Sequence, residues 1–201
     1  PTENGTIYTK SELSSLSEVC KKYELPLYMD GARLGYGLVA DNNDLTLEDI
    51  ARLCDVFYIG GTKVGALFGE AVVIVNPALQ KDFRYFIKQN GGMLAKGRIL
   101  GLQFLALMED NLYLDISRHA VRLAMKLKAA LSDKGYGFLY ESCTNQQFPI
   151  MPDAHLDALS GKYAYSIWEK TDDLHTAVRF CTSWATREEA VVKLISDIKG
   201  L

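Results

Sequence analysis

Between Val56 and Val75 the sequence reads VFYIGGTKVGALFGEAVVIV, and no other stretch limits the fold as strongly. The apolar run from Val56 to Ile59 ends at Gly60-Gly61. Thr62, Lys63 and three more small positions (Gly65, Ala66, Gly69) follow, and Ala71 to Val75 is apolar again. Two β-branched runs around a glycine loop spell strand, loop, strand. Glycines there let the backbone approach another group closely or take a positive φ. The single lysine, with no acidic neighbour before Glu70, has two readings. It is an exposed turn residue, or an amine in a semi-apolar pocket able to form a Schiff base.

The flanking sequence sets this loop in an α/β frame. Thr9-Lys10-Ser11-Glu12 has the form of a capping box. It opens a helix with Leu13, Leu16, Val19 and Cys20 on one face, and Leu25-Pro26 ends that helix. Leu27 to Met29 make a short strand that delivers Asp30-Gly31-Ala32-Arg33. A loop with Gly35, Gly37 and Asn42-Asn43 comes next, and Thr46 caps a second helix through Ile50 and Leu53. Alternating strand and helix predict an α/β layer with a largely parallel sheet.

Asn76-Pro77 starts a helix that runs to about Gln89 and stops at Asn90-Gly91-Gly92. Leu94 to Glu109 is strongly apolar. Leu112 to Lys134 repeats apolar residues at helical spacing until Gly135-Tyr136-Gly137. Beyond it Phe138–Tyr140, Phe148–Met151, Tyr163–Trp168 and Ala177–Trp184 read as strands, and 152–160 as helix. Thr186-Arg187-Glu188-Glu189 is a second capping box. This tail is a small α+β unit, its boundary between Glu109 and Gly135.

With 25 acidic and 22 basic residues the net charge is −3, which gives no footprint for nucleic acid or an anionic membrane surface. No apolar segment has the length of a bilayer span. The four cysteines form no CxxC pair and suit a reducing, cytoplasmic setting. The histidines show no metal-ligand spacing, and no metal is expected. Pro1 follows neither Met nor a signal peptide, so the chain is expected to be part of a longer protein.

Ligands of parallel α/β sheets bind beyond the carboxyl ends of the strands. Asp30 ends one expected strand and Lys63 follows the next, so one βαβ step brings both to the same rim. A lysine that holds an aldehyde and an aspartate that keeps a pyridine nitrogen protonated are what pyridoxal phosphate requires. The plainer alternative is an Asp30–Arg33 surface pair beside a solvated Lys63. Arg179 lies in an apolar strand, where an unpaired charge is costly to bury, which favours a ligand or partner.

Asp30-Gly31-Ala32-Arg33 after an apolar strand, a lysine thirty-three residues later, then Gly69-Glu70 and another strand resemble the threonine aldolases. These belong to the β-eliminating lyase group of fold type I pyridoxal-phosphate enzymes, which share the aspartate aminotransferase-like fold. Gly91-Gly92-Met93 with Lys96-Gly97-Arg98 is similar to the family's glycine-rich helix start. Val178-Arg179-Phe180-Cys181-Thr182-Ser183-Trp184 is similar to its C-terminal arginine strand.

The resemblance implies that Lys63 carries the Schiff base and that Asp30 pairs with the pyridine nitrogen. Arg33 and Arg179 would hold the substrate carboxylate, a bidentate task suited to guanidinium. Thr62 and Lys96 would lie near the cofactor phosphate, Lys96 across a subunit interface. Residues 1–110 would be the C-terminal part of the cofactor-binding large domain, with a mixed, mostly parallel sheet. Residues 111–201 would be the small domain, linked by a helix over about 112–134. The implied activity is cleavage of threonine to glycine and acetaldehyde in a homodimer or homotetramer. The family's stacking aromatic and phosphate loop would precede Pro1, so this chain alone is expected to be inactive. Another reaction on the same scaffold, β-elimination or transamination, and an inert dimerising module remain alternatives.

Overall fold

The computed structural model describes residues 1–201. Helix α1 (Lys10–Lys22) opens with the expected capping box, Thr9 and Glu12 exchanging side-chain and backbone hydrogen bonds. Glu24, at φ 55°, turns the chain out of it before Pro26. The buried face differs from the expected one. Leu13 and Ser17 point inward, while Leu16 and Val19 are 39% and 52% exposed. Ser17 turns inward because its hydroxyl donates to the Leu53 carbonyl at 2.7 Å.

Strand β1 (Tyr28–Met29) is followed by helix α2 (Leu34–Leu38), where the sequence suggested a loop. Gly35 and Gly37 serve contact rather than a turn. A Cβ on Gly35 would stand 2.8 Å from the Tyr113 ring, and one on Gly37 would stand 3.0 Å from Pro1. Thr46 and Asp49 form the capping box of helix α3 (Leu47–Leu53). Strands β2 (Val56–Ile59) and β3 (Ala71–Ile74) bracket the lysine loop as expected. β1 pairs with β2 in parallel (Tyr28 with Val56), and β2 with β3 antiparallel (Val56 with Ile74), which makes a mixed sheet of order β1-β2-β3.

The helix expected from Pro77 to Gln89 is divided. Pro77–Leu79 is a 3-10 turn, Asp82 takes φ 59°, and helix α4 spans Phe83–Gln89. Helix α5 (Arg98–Met108) and helix α6 (Leu112–Asp133) are separated by Asp110 and Asn111, both at positive φ. In the C-terminal unit, strand β7 (His175–Cys181) is central. Strands β4 (Gln146–Gln147) and β5 (Ile150–Pro152) pair along one edge, and strand β6 (Ser166–Lys170) along the other, all antiparallel. Helix α7 (Asp153–Ser160) lies between β5 and β6 in sequence, and helix α8 (Glu188–Gly200) ends the chain.

Two local expectations fail here. Phe138 makes only a single bridge, to Pro149. The Thr186 capping box does not form, because the Thr186 hydroxyl accepts from the Ser183 N–H at 2.8 Å and the helix begins one residue later than expected, with Arg187 at its N-cap.

Helix α6 serves two cores. Its second half packs Leu123, Leu127 and Leu131 against Val178, Phe180, Val191 and Ile198. Its first half packs Tyr113 and Val121 against Tyr36, Val64 and Leu107. A third cluster joins Leu13 and Ile50 to Phe57 beneath the β1-β2-β3 sheet. The helix therefore packs against both the lysine-loop side and the Arg179 strand.

Candidate active site

The carboxyl ends of β1 and β2 meet directly, Gly60 N–H donating to the Gly31 carbonyl at 2.9 Å. A Cβ on Gly31 would lie 1.6 Å from the Tyr58 carbonyl oxygen, so only glycine permits this approach. Tyr113, 2% exposed, locks the junction from α6. Its hydroxyl accepts from the Gly35 N–H at 3.1 Å and donates to the Gly60 carbonyl at 2.9 Å. Tyr36 donates its hydroxyl to the Lys63 carbonyl, and burial pushes its pKa up to about 12. The Asp30 and Lys63 loops are thus fixed to each other and to α6.

Asp30 stands exposed at this rim. Its Oδ1 accepts from the Tyr58 hydroxyl (2.6 Å), the Ala32 N–H (2.9 Å) and the Thr2 hydroxyl (3.1 Å), while its Oδ2 receives no bond. Burial alone would raise its pKa, but the Tyr58, Ala32 and Thr2 bonds and the positive charge of Lys63 hold it below the ordinary value. Asp30 is therefore an ionised carboxylate with one oxygen free. Lys63 is exposed on the loop. Beside it the Glu70 carboxylate accepts from the Gly61 N–H and from the Thr62 hydroxyl, the latter at 2.8 Å. Gln103 of α5 accepts from the Leu67 N–H at 2.7 Å, which anchors the far side of the loop.

The two arginines also converge. Arg33 is only 9% exposed and joins no ion pair with Asp30 or any other acid. Its Nη1 donates to the Thr2 carbonyl, and its buried Nε has no partner. Gln146 Nε2 donates to the same Thr2 carbonyl at 3.3 Å, and Gln146 Oε1 accepts from Arg179 Nη1 at 3.3 Å. Thr2, whose hydroxyl reaches Asp30, thereby connects Asp30, Arg33 and, through Gln146, Arg179. Lys96, exposed just ahead of α5, makes no side-chain hydrogen bond or ion pair. An apolar cleft of about 300 Å³ beside α1 has Asp30 at its edge but does not include Lys63.

Sequence reasoning singled out Asp30, Arg33, Lys63 and Arg179, which lie on this rim or connect to it, and did not single out Tyr58, Glu70, Tyr113 and Gln146, which hold them in place. Glu70 was detectable as the first acid after the lysine loop. The others carry no local pattern.

The architecture is the α/β fold of the aspartate aminotransferase type. The Thermus thermophilus aspartate aminotransferase, 16% identical, superposes with a TM-score of 0.70 over 100% of this chain and 55% of its own, a likeness of fold alone. The family model described as Beta-eliminating lyase matches residues 1–154, and the chain belongs to that family. It is 33% identical over 205 residues to a "Low specificity L-threonine aldolase" of Pseudomonas sp. (strain NCIMB 10558), covering 100% of this chain and 57% of that protein. It is 31% identical to the protein of the same name from Pseudomonas aeruginosa, covering 98% and 57%. A Leishmania major threonine aldolase structure, 44% identical, matches with a TM-score of 0.97 over 98% of this chain and 58% of its own. The chain spans somewhat over half the length of these relatives.

Proposed function

We propose that the polypeptide carrying this sequence is a pyridoxal-phosphate-dependent lyase that cleaves β-hydroxy-α-amino acids, threonine to glycine and acetaldehyde among them. One observation carries the reading. Asp30 and Lys63 share one strand rim, beside a buried Arg33 that has no acidic partner. The names of the relatives agree with it.

The residues fit the cofactor. Asp30 concentrates its three bonds on Oδ1, which leaves an ionised Oδ2 for a protonated ring nitrogen. Lys63 would hold the cofactor through its amine. Thr62 and Lys96 are the proposed phosphate neighbours, Lys96 being free to reach a site on a second copy. When bound, the cofactor supplies an electron sink for the bond that breaks at the substrate α-carbon. Arg33 and Arg179 would clamp the substrate carboxylate and so fix which bond is aligned to break. Tyr58 keeps Asp30 ionised and oriented.

Residues 1–110 would then belong to the cofactor-binding domain and residues 111–201 to the small domain. The exposed Ile99, Leu102 and Leu105 of α5 suit an interface in a homodimer or homotetramer. Four free cysteines suit a cytoplasmic setting, and no helix is long and apolar enough to cross a membrane. The test is product analysis with threonine, using a polypeptide completed to the length of the relatives. Glycine and acetaldehyde in equal amounts are expected. A keto acid in place of glycine would refute the lyase reading.

A further inference from the structure

We propose that Gln146, Ser166 and Trp168 form an uncharged cradle that positions Arg179 as a carboxylate receptor while leaving its charge uncompensated. The inference rests on the proposed role of Arg179 and goes beyond it, by naming what aims the guanidinium and what keeps it available.

Strand register builds the cradle. On β7, Arg179 and Cys181 face one side, and Val178 and Phe180 face the core. Ser166 sits directly across from Arg179 on β6, and Gln146 across from Cys181 on β4. Ser166 Oγ accepts from Arg179 Nη2 at 3.3 Å, and Gln146 Oε1 from Nη1 at 3.3 Å. The β6–β7 register shifts between Ile167 and Glu169, which leaves Trp168 as the extra residue of a bulge. Bulges re-aim side chains, and this one places the Trp168 ring 5.4 Å from the Arg179 guanidinium carbon. Phe148 meets that ring edge-on at 5.0 Å and so fixes its plane.

Gln146 is fully buried and cannot swing away. Its Nε2 donates to the carbonyls of Pro1 (3.1 Å), Thr2 (3.3 Å) and Glu3 (3.2 Å). The carboxamide therefore ties the Arg179 strand to the segment that touches Asp30 and Arg33.

Arg179, like Arg33 and unlike Arg52, Arg118 and Arg122, pairs with no acid. Arg118 pairs with Asp115 at 2.6 Å and Arg122 with Glu188 at 2.9 Å. All the groups holding Arg179 are neutral. A half-buried guanidinium held by a carboxamide, a hydroxyl and an aromatic face keeps its geometry without spending its charge on an internal acid. An incoming carboxylate then meets the undivided cation. A protein acid at the same place would compete with it.

The test uses the polypeptide completed to the length of its relatives, carrying Trp184→Phe so that Trp168 is the one tryptophan left of the two in residues 1–201. Trp168 emission is followed during titration with L-threonine, glycine and L-threoninamide, which lacks the carboxylate. A saturable change is expected with the first two and not with the amide, and Arg179→Gln abolishes it. Ser166 is exposed, so its variants should fold, which urea midpoints verify. Ser166→Asp sets a carboxylate across from Arg179 and should weaken binding about tenfold. Ser166→Asn, similar in size and neutral, should retain wild-type affinity. Equal weakening by both Ser166 variants, equal binding of the amide, or no saturable response at all would overturn the proposal. Carboxylate binding with these signatures but no glycine from threonine would refute the lyase reading and leave the cradle standing.

Discussion

Replacing Tyr113 with Phe tests how firmly the Asp30 and Lys63 loops are joined. The ring would remain packed against Gly35, so the change removes only one oxygen. That oxygen serves two backbone groups. The Gly35 N–H lies in the first turn of α2, where no intrahelical carbonyl is available, and the Gly60 carbonyl has no other hydrogen-bond donor. Each buried group left unpaired costs about 1–3 kcal/mol. With partial relaxation the two together should cost about 2–4 kcal/mol. For a chain of this size, with a urea m-value of about 2 kcal/mol/M, the midpoint should fall by about 1–2 M at unchanged m. Tyr36→Phe is the control. It removes one bond to the carbonyl of an exposed loop residue and should cost about 1 kcal/mol. A Tyr113→Phe loss no greater than that of Tyr36→Phe would refute the view that this hydroxyl holds the rim together.

Glu70→Ala should release the lysine loop. Hydrogen exchange at the Gly61 amide is expected to speed up about tenfold or more, the value of a charge-assisted bond, while amides of α8 stay unchanged. Gly31→Ala should prevent native folding, because its Cβ would meet a backbone carbonyl at 1.6 Å; Gly101→Ala, in open space within α5, should raise the urea-derived stability by about 0.5–1 kcal/mol. Glu188 links α8 to Arg122 and Lys126, whose hydrogen bonds depress its pKa from 4.5 to about 2. A depressed carboxylate stabilises fully above its unfolded pKa and loses that contribution as pH falls through the folded value. Stability should therefore decline between pH 4.5 and about 2, and Glu188→Gln should flatten the urea-midpoint profile across that window.

The lysine loop was legible because β-branched runs bounded by glycine specify strand and turn locally. Asp30 and Lys63 could be joined from sequence because parallel strands bring successive carboxyl ends to one rim. Arg179 stood out as a charge in an apolar strand. The short helix α2 was not legible, since Gly35 reads as a helix breaker and its need for space is set by Tyr113, 78 residues away. Gln146 was equally hidden. A neutral amide has no periodicity or charge signal, and its role depends on a two-residue strand meeting the chain's first three carbonyls. In both cases the local signal was overruled by a contact remote in sequence.

The central claim is that the Asp30–Lys63 rim holds pyridoxal phosphate through Lys63. Borohydride reduction with pyridoxal phosphate, followed by intact mass and peptide mapping of the polypeptide completed to its relatives' length, tests it most directly. The account predicts one cofactor mass on the peptide containing Lys63, lost in Lys63→Ala and reduced in Asp30→Ala. Label spread evenly over the exposed lysines, or label that persists in Lys63→Ala, would contradict it.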